Sequence, residues 1–323
     1  MISAEAFYVV DRARGEIRGE ILNEPGPDEV LVDTLFSGIS RGTELTVYRG
    51  LVPPSEYERM RAPHQGGEFP WPVKYGYSNV GRVRSGDPEL EGKDVLCLYP
   101  HQTAYVVPRT AVVPLPRRVP TSRAVLAPNV ETALNVLWDA GVRAGDRVAV
   151  VGAGVVGGAI AYLASRHPGT DVELVDVDPS KARLAEALGV RFSLPAPARG
   201  EADVVIHASG TPEGLDTALC LAAREATVVE ASWFGDRPVT LNLGRAFHSR
   251  RLRIVSSQVG SIPEAQRARW THRRRLEVAL GLLADPTFDA LVSAESAFAE
   301  LPQVMARLHL GEPALCHRVV YGR

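Results

Sequence analysis

VAVVGAGVVGGAIAYLAS, Val148–Ser165, opens as a run of apolar β-formers, turns on glycines and continues as a helix of small and apolar residues. Gly152, Gly154 and Gly157 stand in the spacing G-x-G-x-x-G. The spacing alone is a weak signal, and its position between a strand and a helix gives it physical content. Gly152 permits the tight turn, Gly154 lets backbone N–H groups approach a pyrophosphate, and Gly157 lets helix and strand pack closely. Val155 and Val156 fall on the same first turn. Asp176 ends the next apolar run, DVELV, nineteen positions beyond Gly157, where a carboxylate accepts hydrogen bonds from a ribose hydroxyl. A carboxylate there repels a 2′-phosphate, so NAD is expected as the cofactor and NADP is disfavoured; Val177 follows at the same edge. A helix cap is the ordinary alternative for Asp176. Asp178 and Pro179 already supply cap and first-turn proline for KARLAEALG, which Gly189 ends. An S-adenosylmethionine enzyme would share the glycine loop and the strand-end acid.

Outward from this motif the chain alternates apolar strands with amphipathic helices. RVAVV (147–151), DVELV (171–175), DVVIH (203–207), ATVVE (226–230) and LRIVS (252–256) read as strands buried on both faces of a parallel sheet. The predicted class is therefore α/β with a doubly wound domain over 124–259. Residues 1–123 differ in texture. EVLVDTLFSG, NVGRVRSG, KDVLCLYP, AYVVP and AVVPLP are short period-2 runs punctuated by Gly and Pro, which predicts a small β-rich, barrel-like domain. An Arg-rich helical pattern, EAQRARWTHRRRLEVALGLLAD, and an apolar end, ALCHRVVYG, occupy 260–323 and are expected to complete that first domain. The S-adenosylmethionine alternative does not account for a β-rich domain ahead of the nucleotide motif.

The chain has 323 residues, enough for two domains, with 36 basic and 38 acidic residues and a formal net charge of −2. That balance offers no field for nucleic acid or an anionic membrane. The start has no signal-peptide pattern and no window reads as a membrane helix, so a cytoplasmic protein with a small-molecule substrate is expected. Cys97, Cys220 and Cys316 form no C-x-x-C pair and are read as buried thiols.

Two stretches of the first domain carry chemistry: FSGISRGTELTVYRG, Phe36–Gly50, and VKYGYSNVGRV, Val73–Val83. With the glycine loop they make the whole chain resemble the medium-chain dehydrogenase/reductase superfamily. SGISRGTE stands for that superfamily's S-G-x-C-G-T-D, and VKYGYSNVGRV for its P-x-x-x-G-H-E-x-x-G-x-V. The resemblance implies a GroES-like catalytic domain, a nucleotide-binding domain and a tail returning to the first. It also implies hydride transfer between NAD(H) and an alcohol or ketone in the interdomain cleft. Zinc-using members place Cys and His ligands and a Glu in these motifs, where this chain has Ser40, Tyr77 and Ser78. A third ligand would fall near Ala127 and Pro128. The cysteine-rich structural zinc lobe expected after KDVLCLYP is missing. The resemblance thus implies a zinc-free member with no metal ligands, near the bacteriochlorophyllide hydroxyethyl dehydrogenase branch. The extra Arg41 leaves open whether Ser40 or Arg41 takes the old cysteine place.

On this resemblance Tyr77 is expected to handle the substrate proton, with Ser40 and Thr43 as relays and Lys74 or the nicotinamide charge easing its ionisation; otherwise Tyr77 fills the volume left by the metal. His101 is a second candidate proton carrier, its alternative a surface histidine, and Glu44 is expected to pair with Arg41. Glu131 and Thr132 lie on the helix that the resemblance places under the nicotinamide, with a surface charge as the alternative for Glu131. Ser209 and Gly210, Ser232 and Trp233, and Gln258 and Val259 fall at strand C-termini, where open α/β sheets bind ligands, and are expected to line the cofactor. The arginines of HSRRLR and RARWTHRRR are read as solvated or partner-facing. RPVTLNLGRAFHSRRLRIVS reads as strand-like runs at a sheet edge, which points to a homodimer. A zinc-free quinone or enoyl reductase and a dinucleotide-binding protein without turnover are the competing readings.

Overall fold

The computed structural model describes residues 1–322. The chain divides into two compact units. One comprises Met1–Pro128, Leu280–Asp285 and the chain from Val292 on; the other comprises Asn129–Ala279 and Pro286–Leu291.

The second unit is built on a six-stranded parallel sheet in the order Arg191–Ser193, Asp171–Val175, Arg147–Val151, Ala202–His207, Ala222–Glu230, Arg253–Ser256. Its two halves extend in opposite directions from Arg147–Val151, so a crevice opens at the strand C-termini where the order reverses. The central strands are apolar at nearly every position, and Val150, Leu174 and Ile206 lie side by side in register, each fully buried. Helix Pro212–Leu221 packs Leu215, Ala218 and Leu219 onto this sheet. Thr211 caps it by accepting a hydrogen bond from the Gly214 N–H at 3.1 Å.

The first unit contains a seven-stranded sheet organised on Glu29–Ile39, which pairs antiparallel with Cys316–Val320, Asn79–Ser85 and Ala104–Pro108. A four-stranded sheet runs Arg14–Leu22, Ile2–Asp11, Val73–Lys74, Gly66–Gly67. Alternation sends Val30 and Val32 into a core with Val83, Val95, Tyr105 and Val107. At its far end Glu29–Ile39 carries buried Ser37 and runs into Ser40, the N-cap residue of helix Arg41–Tyr48.

Three expectations differ from what is observed. The Arg-rich stretch is two helices, Glu264–Arg267 and His272–Leu282, and the side chain of Trp270, between them, packs against Trp138 with ring centroids 4.6 Å apart. Residues 237–245 are irregular rather than strand-like, and Val239 and Leu241 pack onto the parallel-sheet core. Cys220 is exposed, on the outer face of Pro212–Leu221, whereas Cys97 and Cys316 are buried. Among the described residues no helix is long and apolar enough to cross a membrane.

Candidate active site

The glycine turn has the geometry its spacing demands. Gly152 lies at φ +110°, and a side chain there would meet the Ser209 backbone; a Cβ on Gly157 would fall 1.8 Å from the Gly152 carbonyl oxygen. Only glycine fits either place. Helix Val155–Ser165 begins at Gly154, which has no side chain to occupy the first-turn N–H groups and faces open space. Such a terminus suits an anionic pyrophosphate. Asp176 closes the turn from the side: its Oδ2 accepts from the Ala153 N–H at 2.7 Å and its Oδ1 from the Asp178 N–H at 2.9 Å. Val177 beside it is 80% exposed.

Two further strand ends are tied into one wall. His207, fully buried, bonds Glu230 through Nδ1 at 2.7 Å and the Ser209 hydroxyl through Nε2 at 2.6 Å. Glu230 also accepts from the Ser232 N–H at 2.7 Å, and the Ser232 hydroxyl accepts from the Gly210 N–H at 3.0 Å. Trp233 is half-buried next to it. Sequence reasoning singled out Ser209, Gly210 and Ser232 but missed the His207–Glu230 couple that holds them, because a histidine within a buried strand carries no periodic signal.

In the first unit a polar cluster forms where Ser40, Thr43 and Tyr77 meet. The Tyr77 hydroxyl is hydrogen-bonded by Ser40 and Thr43. Gly76, at φ +130°, brings the backbone against the His101 ring, since an added Cβ would lie 3.0 Å from its Cδ2. Behind Tyr77 runs a buried chain. Glu44 Oε1 accepts from the Ser40 N–H at 2.6 Å, Glu44 Oε2 bonds His101 Nε2 at 2.8 Å, His101 Nδ1 bonds the Ser37 hydroxyl at 2.7 Å, and Ser37 bonds the Tyr321 hydroxyl at 2.9 Å. Burial, reinforced by the Glu44 charge, pushes the Tyr77 hydroxyl up to about 12, while Ser40 and Thr43 pull it down.

Comparison with known proteins follows this geometry. The family model of the 3-hydroxyacyl-CoA dehydrogenase NAD-binding domain matches residues 147–192. D-guloside 3-dehydrogenase of Escherichia coli K12 is 26% identical over 285 residues, covering 79% of this chain and 81% of its own. The 2-desacetyl-2-hydroxyethyl bacteriochlorophyllide A dehydrogenase of Cereibacter sphaeroides is 26% identical over 253 residues, covering 73% and 76%. L-Idonate 5-dehydrogenase of E. coli K-12 MG1655 superposes with a TM-score of 0.79 at 17% identity, covering 99% of this chain and 98% of its own. The chain has the medium-chain dehydrogenase/reductase fold. Its curated relatives are dehydrogenases, and the NAD-binding family model covers the glycine turn and the strands on either side of it.

A dinucleotide fits the parallel-sheet unit of this medium-chain fold, on the evidence of the glycine cradle. Zinc does not fit the Ser40–Tyr77 cluster: hydroxyls stand at the motif places, Ser78 donates to the Val125 carbonyl at 2.5 Å, and among the described residues no three His, Cys, Asp or Glu side chains could hold a metal ion.

Several side chains lie elsewhere than expected. Lys74 is no neighbour of Tyr77; its ammonium is buried against Glu20 at 2.8 Å and the Gln102 amide oxygen at 2.7 Å. His101 is 1% exposed, not a surface histidine, and it takes the Glu44 carboxylate that was expected to pair with Arg41.

Glu131 is likewise buried rather than a surface charge. It accepts from Arg275 Nε at 3.0 Å, and Arg275 also bonds the Asn135 side chain and the Val259 carbonyl. Asn135 Nδ2 in turn reaches Ser257 Oγ at 3.3 Å and the Gln258 carbonyl at 3.4 Å. Arg275 therefore fixes the segment carrying Gln258 and Val259 to the helix of Glu131 and Thr132. Burial pushes the Glu131 carboxyl up and Arg275 pulls it back. Arg275 was read as solvated; it stands at i of an i, i+4 pair with buried Ala279, a register in which only its charge hid it.

Removing one partner of a buried pair strands the other's charge. Arg275→Ala should therefore destabilise the protein by about 3–5 kcal/mol, and Arg275→Met combined with Glu131→Leu should recover most of that. Urea denaturation measures both; an Arg275→Ala variant as stable as the parent would show that the ion pair does not hold this segment.

Proposed function

We propose that the chain is a zinc-independent oxidoreductase that transfers a hydride between NAD(H) and an alcohol or ketone. The observation that carries this reading is the Tyr77 hydroxyl, held by Ser40 and Thr43 where zinc-using relatives place their ligands. When bound, the nicotinamide supplies or accepts the hydride. In such a reaction zinc contributes several kcal/mol by polarising the substrate oxygen. A hydroxyl donor aimed at the oxygen where charge develops supplies stabilisation of the same kind. In the reductive direction the substrate oxygen becomes an alkoxide and takes the Tyr77 proton; the phenolate is reprotonated from solvent through the Ser40 or Thr43 hydroxyl, which takes one proton as it gives one. In the oxidative direction the same protons move in reverse. Ser209, Gly210, Ser232, Trp233, Gln258, Val259 and Thr132 would hold the cofactor, with Gly152–Gly157 on its pyrophosphate. The relatives' names give a D-guloside oxidised at position 3 and a hydroxyethyl group. Secondary alcohols of sugars and of ring-bearing molecules are therefore the first panel to assay.

The purified protein should contain no stoichiometric zinc and keep its activity in a chelator, whereas Tyr77→Phe should lose at least about a hundredfold in turnover, the lower end for general acid–base catalysis. Elemental analysis with steady-state kinetics tests both. One tight zinc per chain, or full turnover by Tyr77→Phe, would sink this mechanism.

Asp176 should make the enzyme prefer NAD to NADP by at least about tenfold, which is only ~1.4 kcal/mol. Charge-assisted hydrogen bonds to ribose hydroxyls contribute about 1.5–3 kcal/mol, and a 2′-phosphate would meet a like charge. Asp176→Ser should erode the preference mainly through weaker NAD binding, as titration of both dinucleotides would read; an unchanged ratio would remove Asp176 from the cofactor site.

The strand Arg253–Ser256 is hydrogen-bonded on one side only and ends the parallel sheet. An open edge of this kind favours pairing with a second copy across a two-fold axis, so a homodimer is expected. A monomeric mass by light scattering at micromolar concentration would overturn it.

A further inference from the structure

Glu44 carries a charge that the reading above does not use. It is 4% exposed, and its two oxygens are met by the Ser40 N–H and His101 Nε2. Neither is a permanent cation. With His101 as a neutral imidazole, Nε2 donates to the Glu44 carboxylate and Nδ1 accepts from the Ser37 hydroxyl, which accepts in turn from Tyr321. Every hydrogen bond of the chain then runs toward Glu44, and the negative charge stays inside the cluster. The groups around it are Tyr77, Tyr75 and Tyr321, the Cys316 thiol, His101 and the hydroxyls of Ser37, Ser40 and Thr43; burial and the Glu44 charge push the tyrosine hydroxyls and the Cys316 thiol up, toward their neutral, protonated forms. Lys74, the nearest lysine in sequence to Tyr77, is taken by Glu20.

We infer that Glu44 is the charge-setting and positioning residue of the site: its buried carboxylate holds the Ser40 turn against Tyr77 and keeps Tyr77 a protonated hydrogen-bond donor at neutral pH. A second anion at Tyr77 would sit in a poorly screening interior beside the first, and like charges there repel strongly. The rise in the Tyr77 hydroxyl to about 12, caused by burial and then by Glu44, agrees with this. A protonated phenol suits donation to a newly formed alkoxide. Alcohol oxidation needs the phenolate as base, so its rate should climb with pH into the alkaline range.

This inference rests on Tyr77 being the proton-handling group, and the experiment separates the two. Glu44→Gln removes the charge and keeps the shape, because a tautomer change at His101 lets the ring accept from the new amide. Ring-labelled tyrosine followed by NMR, with the Tyr77 signal assigned by its loss in Tyr77→Phe, reports its ionisation without reference to turnover. In Glu44→Gln the Tyr77 titration should move down by at least about half a pH unit, and alcohol oxidation at neutral pH should rise about threefold or more instead of falling. His101→Gln, whose amide can donate to Glu44 from the same place, keeps the charge and should leave the Tyr77 titration where it was. An unmoved Tyr77 titration in Glu44→Gln overturns the inference. So does an equal downward shift in both variants, which would mark a structural role. Full turnover by Tyr77→Phe would instead overturn the underlying reading, whatever Glu44 does. Thermal melts of both variants identify one that does not fold, and the other then decides by its own titration.

Discussion

A carboxylate taken out of water must find partners, and the two units of this chain meet that constraint in opposite ways. Glu131 is answered by a permanent cation, Arg275, whose two terminal nitrogens also donate to Asn135 and the Val259 carbonyl. The pair is electrically closed, so its effect is geometric: it fixes a loop. Glu44 is answered by a backbone N–H and the His101 ring, and among the described residues no arginine or lysine bonds it. Its charge still acts on its neighbours, raising the Tyr77 hydroxyl. The same residue type thus serves as a strut in one unit and as a local field in the other, and the partner decides which.

The same distinction explains what could be read from the sequence. The parallel sheet was legible because strands buried on both faces must be apolar at nearly every position, and the strands Arg147–Val151 and Asp171–Val175 begin and end where their apolar runs do. The glycine turn was legible because backbone approach at Gly152 and Gly157 excludes every other residue. Tyr77, Ser40 and Thr43 could be brought together only through family motifs forty residues apart. His101, Lys74 and Arg275 were misplaced for one shared reason. Each is a polar side chain buried by a partner distant in sequence, 57 positions for His101 with Glu44, 54 for Lys74 with Glu20 and 144 for Arg275 with Glu131, and a pattern of periods two and 3.6 carries no information at that range.

Replacing a metal by a phenol changes more than the identity of the acid. A metal ion stabilises the alkoxide in either direction, because its charge is permanent and favours the deprotonated alcohol. A phenol beside a buried carboxylate favours the neutral alcohol, since every arrangement with a second anion is penalised. The proposed site therefore makes alcohol oxidation depend on pH through the phenol, and that dependence originates in Glu44, a side chain that need not touch the substrate.

In its proposed role at the cofactor, Asp176 would be prepared before the cofactor arrives. Each of its oxygens already accepts one backbone N–H, from Ala153 on the glycine turn and from Asp178 on the following segment. Those two bonds fix the plane of the carboxylate and leave a further lone pair on each oxygen. Ribose hydroxyls, which can donate, would complete that pattern without moving the side chain, and little conformational entropy would remain to be lost. A 2′-phosphate offers only acceptors. To receive one, Asp176 would have to turn away and release the Ala153 N–H, loosening the same turn that holds the pyrophosphate. On the proposed role, discrimination at this position would have two coupled sources, direct charge repulsion and the integrity of the glycine turn, and the second would make the carboxylate's own fixed geometry part of the selectivity.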